Sequence, residues 1–448
     1  MKFFLSQLEA QLWGPWTLVL LLGTGCFLTV RLNFLQFSQL PYALKLVFRP
    51  SSSKSEQAPG DISNFAALMT ALSASIGTGS IVGVATAVVL GGPGSIFWMW
   101  ITALLGMATK YAEAVLAVKY RVVDSQGHVC GGPMYYIQNG LGKKWLAILF
   151  AIFTVIASFG IGSTVQANSI ALALEQSFHI NATLTGILLT ILTAVIVLGG
   201  IHSIAKVTTV LIPFMVIVYF IGGLIIVLTH ITFVWPAIKL IFTDAFTGAA
   251  FAGGMIGKVI QSGVSRGLFS NEAGLGSSPI VAAAAKTDHS VRQALIAMTG
   301  TFFTTLVMCT ITGFVLVLGL VSHNFPMNLN GAALTNAVFQ NFLPFAGAEL
   351  ATLALILAAY STIIGWFYYG EKTIHYLVGN RGVKLYAVLY TVSVMLGSVL
   401  TLETVWSLAN IFNVLMAIPN LLALLILSGQ VRAETQDFYR KKLRGELL

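Results

Sequence analysis

Apolar runs long enough to cross a bilayer alternate with short polar and basic connectors along almost the whole chain. A spanning helix needs about 20 apolar residues, and eleven runs reach that length: 13–36, 63–90, 95–119, 146–175, 182–200, 206–229, 246–262, 293–320, 348–376, 384–401 and 404–428. The pattern predicts an all-α polytopic membrane protein. One stretch stands out. Between Ser63 and Trp100, Gly77-Thr78-Gly79-Ser80 falls at membrane depth, and each interior glycine costs a helix about 1 kcal/mol relative to alanine. Two readings fit: close packing of small residues against a neighbouring helix, or a helix that unwinds and lends its backbone to a binding site.

A Ser-rich connector, Ser51 to Gly60, separates the first run from the other ten, which divide into five and five. The second half opens with its own weak helix, Ala249 to Gly257, which contains Gly253 and Gly254. Four spans lie between the two weak helices, so they enter the membrane from opposite faces. Glycine-interrupted segments at matching positions of inverted halves point to a transporter's binding site. The expected organisation is an extra helix and cytoplasmic linker at 1–60, one five-helix repeat at 61–230, a second at 231–430, and a basic tail at 431–448.

Composition removes the soluble alternatives. Charged residues make up 9% of the 448 positions, against about 25% in soluble domains. The net charge of +9 invites a nucleic-acid reading, but the basic residues are sided: 22 of 24 fall in or near the connectors on the side of the C-terminal tail, with only Lys2 and Lys239 opposite. The positive-inside bias places the C-terminus in the cytoplasm and the N-terminus outside, in a bacterial inner membrane, and makes the charge topological. No nucleic-acid partner is expected. The first run lacks a small-residue cleavage site and reads as a true span. Cys26, Cys130 and Cys309 form neither a disulfide framework nor a metal-ligand spacing.

Polar groups at membrane depth are the candidate chemistry. Ser73, Ser75, Thr78 and Ser80 surround the first interruption, and Ser361-Thr362 lies mid-span far along the chain. Such hydroxyls either bond the preceding turn of their own helix or join freed carbonyls around a hard cation. Gln166 either bonds a neighbouring helix or orients a polar substrate; Trp366 either packs or closes a pocket. Lys110 and Glu113, one turn apart, suit a structural ion pair, whereas Glu371 and Lys372 are placed to snorkel. RGLFSNEAGLGSSPI (266–280) reads as a cytoplasmic loop rich in Gly and Ser, and Asn330 as an N-cap for a short helix at 332–342. Walker, dinucleotide and nucleophile-elbow spacings are absent from the sequence. An enzyme is not expected, and no cofactor beyond a coupling ion.

The motifs GTGSIVGVATAVVLGGPGSIFWMW with GMATKYAE (77–113), GGPMYYIQNGLG (131–142), VQANSIA (165–171), RGLFSNEAGLGSSPI (266–280) and STIIGWFYYGEK (361–372) resemble the alanine or glycine:cation symporter family, in family order across nearly the whole chain. The resemblance implies a leucine-transporter-like fold of five plus five inverted spans with one extra N-terminal helix. It implies that Gly77, Thr78, Gly79 and Ser80 bind the substrate, the backbone amides holding its carboxylate. Phe251, Gly253 and Met255 would shape the side-chain pocket, with Gln166 and Trp366 lining it. Sodium would bind carbonyls of Ser73, Ile76 and Ala358 and the hydroxyls of Ser361 and Thr362.

Three positions depart from the family pattern: Ser80 and Ser163 stand where Asn is usual, and Thr304 where Asp is expected. By analogy with the wider fold, the positions of Ser80 and Thr304 would complete a second sodium site, so one coupling cation is expected. The expected function is sodium-coupled symport of small neutral amino acids, alanine and glycine first, with a monomer as the simplest unit. The alternative is a proton-coupled or facilitative permease with reduced sodium dependence.

Overall fold

The computed structural model describes residues 2–48, 58–246, 256–400 and 403–446. In chain order its main helices begin with α1 (Lys2–Leu12), α2 (Pro15–Arg31), α3 (Asn64–Ser75), α4 (Val84–Gly91) and α5 (Ser95–Lys119). A two-residue antiparallel hairpin, β1 (Val122–Val123) and β2 (Val129–Cys130), leads into α6 (Pro133–Leu141). Then follow α7 (Lys144–Phe178), α8 (Ala182–Val197), α9 (Gly200–Thr229), α10 (Ile256–Asn271) and α11 (Ser290–Val321). The last are α12 (Gly331–Phe342), α13 (Gly347–Val378), α14 (Asn380–Val399) and α15 (Glu403–Leu443).

Among the described residues eight helices are long and apolar enough to span a membrane, and the bent pair α3–α4 makes a ninth. The shorter α8 is apolar over 16 residues. The run expected at 246–262 falls largely outside the described residues, and with it Phe251, Gly253 and Met255. Burial ranks the helices. Only 33% of the apolar window of α9 is buried, against 83% for α5, so α9 forms the rim and α5 the centre. Leu188, Ile191, Val195, Val210, Ile217 and Val388 are exposed along α8, α9 and α14, an apolar surface that a soluble monomer does not present and that lipid covers.

The interruption at Gly77 is a true break. Ser63 caps α3 by accepting from the Ala66 amide at 3.1 Å. Ile76 leaves helical backbone at ψ 74, and the chain resumes as a π-helical turn, Gly79–Gly83, that runs into α4. The two halves meet at 53°. Close packing, the competing explanation, is also present: a Cβ on Gly77 would lie 2.3 Å from Thr362 Oγ1, and one on Gly365 would lie 2.5 Å from Ser73 Oγ. Paired glycines let α13 run against the break.

Candidate functional site

Where α13 crosses the end of α3, two hydroxyls converge on one carbonyl. Ser361 Oγ donates to Ser73 O at 3.2 Å and Thr362 Oγ1 at 2.9 Å; both also reach Ala358 O, at 2.8 and 3.0 Å. Bonding to the preceding turn and bridging to a second helix are therefore both realised. Four of the five expected cation ligands, the carbonyls of Ser73 and Ala358 and the two hydroxyls, form one fully buried cluster. Ile76 closes α3 one turn further on. Neutral oxygens held by packed helices suit a hard monovalent cation without a buried carboxylate.

Gln166, on α7, bonds the break directly. Its Oε1 accepts from the Thr78 amide at 3.3 Å, and its Nε2 donates to Thr78 Oγ1 at 3.2 Å and to Ile161 O at 3.0 Å. The Thr78 N–H is thus one of the freed donors, satisfied by an amide that a carboxylate can replace. Asn168, two residues on, turns away to Leu400 O. Trp366 is buried, lines the cavity beside Gly77 and packs edge-on to Tyr369 at 5.5 Å, so packing and pocket lining are one role.

The second half meets the break with a segment that hydropathy read as a cytoplasmic loop. From Gly267 to Ala285 every residue is buried. Past α10 the chain unwinds over Glu272, Gly274 and Gly276, all at positive φ, before the short turn Pro279–Ala282. Phe269 and Ser270 abut Gly79, whose Cβ would lie 2.8 Å from Phe269 Cδ1. Unwound backbone at this depth needs internal partners, and it has them. Glu113 Oε1 accepts from the Gly276 amide at 3.1 Å and from Asn420 Nδ2 at 2.6 Å; Asn420 Nδ2 also reaches Gly274 O at 2.9 Å, and Tyr136 donates to Asn420 Oδ1. Ser277 Oγ donates to Glu272 Oε2 at 2.8 Å. Lys110, buried on α5, lies near both Glu272 and Glu113. The expected Lys110–Glu113 ion pair is not formed: Glu113 instead takes the Gly276 amide and Asn420, in a network that supports a second unwound segment.

One further expectation changes. Lys372 does not snorkel: it is buried, with Nζ 3.7 Å from Cys130 Sγ and 5.6 Å from the Tyr368 ring centroid. Ser163 Oγ bonds Ser393 Oγ at 2.7 Å. Ser80 Oγ pairs with Ser270 Oγ at 2.9 Å and its carbonyl accepts from Thr312, while Thr304 Oγ1 bonds Thr301 O within its own helix at 3.3 Å. Asn330 caps α12 as expected.

A small cavity of about 10 Å³ lies among Gly77, Gln166, Phe269, Glu272, Thr362 and Trp366, room for one water. Across Phe269, a wider cavity of about 290 Å³ reaches Thr78 and is lined by Glu9, Arg266 and Asn410; one of about 330 Å³ continues past Trp13, Leu90 and Lys258. Lys258 and Arg266 therefore open toward Trp13, just ahead of α2, and Leu90, in the last turn of α4, opposite to their expected side.

A bilayer-spanning helix broken at mid-depth, crossed by a second unwound segment and flanked by an oxygen cluster, defines a secondary transporter of the leucine-transporter-like fold. The fold matches a crystal structure of MhsT in complex with L-phenylalanine at TM-score 0.58 and 16% identity, covering 84% of this chain and 89% of that one. A manganese transporter of Eremococcus coleocola aligns at TM-score 0.54 and 14% identity, over 85% and 81% of the two chains. Residues 1–447 match the sodium:alanine symporter family, and the chain belongs to it. It is 53% identical to the sodium/alanine symporter AgcS of Methanococcus maripaludis, over 97% of this chain and 96% of that one. It is also 37% identical to a probable sodium/glutamine symporter, GlnT, of Bacillus subtilis, over 97% and 90%. These relatives are transporters, not enzymes.

Proposed function

We propose that this protein carries small neutral amino acids, alanine and glycine first, inward with one sodium ion per cycle by alternating access. The observation that carries the reading is the convergence of Ser361 and Thr362 on the Ser73 carbonyl one turn before the Gly77 break. An ion there ties α13 to α3, so sodium favours the geometry in which the freed amides at Gly77 to Gly79 face a substrate carboxylate at the positive end of a half-helix. Gln166 then exchanges the Thr78 amide for the substrate. The ammonium group finds Glu272 across the small cavity, with Phe269 and Trp366 moving to admit a side chain of few carbons.

The scaffold is read as eleven spans: an extra N-terminal helix and linker at 1–60, inverted repeats at 61–230 and 231–430, and a basic tail at 431–448. With Lys258 and Arg266 moved across, the basic residues divide 20 to 4 (22 − 2 and 2 + 2). That still favours an inner-membrane protein with N-terminus outside and C-terminus in the cytoplasm, and makes the cavity beside Trp13 an outward vestibule. A single cation crossing about 100 mV supplies about 2.3 kcal/mol, a roughly 50-fold accumulation at about 1.4 kcal/mol per tenfold. The test is alanine uptake into proteoliposomes under an imposed sodium or proton gradient. Sodium-driven uptake is expected; accumulation driven by a pH gradient without sodium would overturn the reading.

A further inference from the structure

Outside the transport site, the β1–β2 hairpin and the end of α13 bring three metal-ligating side chains together. Asp124, Cys130 and His375 each offer one donor atom within 4.8 Å of the other two. Cys130 Sγ lies 3.8 Å from His375 Nδ1, and Asp124 Oδ2 lies 3.6 Å from His375 Nε2. The second separation is too long for a hydrogen bond. Two ligands at about 2.0–2.3 Å from a tetrahedral ion sit roughly 3.3–3.6 Å apart. The two separations run to different ring nitrogens, so closing the three onto a common centre takes one nitrogen turned inward and a shift on the order of an ångström.

The surroundings support this. Asp124 Oδ1 is engaged by the amides of Gln126 and His128, both at 2.9 Å, which fixes the carboxylate and leaves Oδ2 toward His375. Cys130 is buried, and Lys372 Nζ, 3.7 Å from the sulfur, is placed to donate to a metal-bound thiolate. We propose that Asp124, Cys130 and His375 bind a zinc-class divalent transition ion that clamps the hairpin to the end of α13. Thiolate, imidazole and carboxylate in one set favour zinc or cobalt over magnesium or calcium. The clamp acts on gating: Asp61 accepts from the Val129 amide at 3.2 Å, Arg121 donates to Ala283 O and Ala285 O, and α13 carries Ser361 and Thr362. An ion here therefore joins the approach to α3, the end of the second unwound segment and the cation helix.

The test uses the purified full-length protein, stripped of metal and titrated with cobalt(II) alone. One ion per chain is expected, with a thiolate-to-cobalt charge-transfer band that zinc abolishes by displacement. Cys130→Ser loses the band, Cys26→Ser with Cys309→Ser keeps it, and His375→Gln, which preserves the thiol, weakens binding at least about tenfold. No band, or a band that survives Cys130→Ser, overturns the site. In proteoliposomes zinc is expected to slow alanine uptake by the parent protein but not by Cys130→Ser. Equal sensitivity in the two, or none in the parent, overturns the clamp.

Discussion

Gly77→Ala places one methyl group where the geometry leaves no room for it. Its Cβ would lie 2.3 Å from Thr362 Oγ1, more than an ångström inside ordinary contact, and 3.2 Å from both Thr362 Cβ and Gln166 Oε1. Thr362 is branched at Cβ, so it escapes only by rotating χ1. That rotation takes its hydroxyl off the Ser73 and Ala358 carbonyls. Overpacking of this kind costs about 1–3 kcal/mol, which at about 1.4 kcal/mol per tenfold weakens the cation site roughly 5- to 140-fold. The assay is the sodium concentration giving half-maximal alanine uptake, measured at saturating alanine. Gly83→Ala is the control, because nothing beyond its own turn comes nearer than Thr78 O at 3.9 Å and Arg266 Cδ at 4.0 Å. An unchanged sodium requirement in Gly77→Ala, or equal damage in Gly83→Ala, would refute the argument.

Ser361→Ala combined with Thr362→Ala is expected to abolish stimulation of uptake by sodium, read as equal initial rates with sodium or potassium outside. Sodium activation of the parent protein is expected to follow a Hill coefficient near one; a coefficient near two would show that Ser80 and Thr304 still serve a second ion. Gln166→Ala removes the group that holds the Thr78 amide and is expected to raise the alanine KM at least about tenfold, the scale of one hydrogen bond in a charged interaction at about 1.5–3 kcal/mol. Asn420→Ala leaves the buried Gly274 carbonyl without that partner, a penalty of about 1–3 kcal/mol. A lower unfolding temperature in detergent is expected, and an unchanged one would remove Asn420 from the support of the second unwound segment.

The sequence made the first break and its partners legible because each carries a local signature. Glycines within an apolar run mark Gly77 and Gly79, while an isolated amide and a hydroxyl pair mark Gln166 and Ser361-Thr362. The segment from Phe269 to Ser278 was hidden for the opposite reason. Glycine, serine and a glutamate without an apolar run read as a solvent-exposed loop. What makes the segment compatible with membrane depth is Glu113 and Asn420, from two other helices, and their convergence leaves no local trace. The same limit hid Asp124, Cys130 and His375, since the cysteine and histidine are 245 residues apart. Lys258 and Arg266 were assigned to the wrong side because a hydropathy window ended the seventh run before the helix that carries them was complete.

The Asn420 bridge also bears on how the chain is made. Gly274 is translated 146 residues before the side chain that takes its carbonyl. Until α15 is threaded into the bilayer, the kinked backbone ahead of Pro279 lacks its closing partner, and Glu113 shares that wait. Insertion of the final helix is thus a completion step for biogenesis. A nascent chain arrested before residue 420 presents unmet polar groups at membrane depth, the kind of lesion by which membrane quality control separates unfinished products from finished ones.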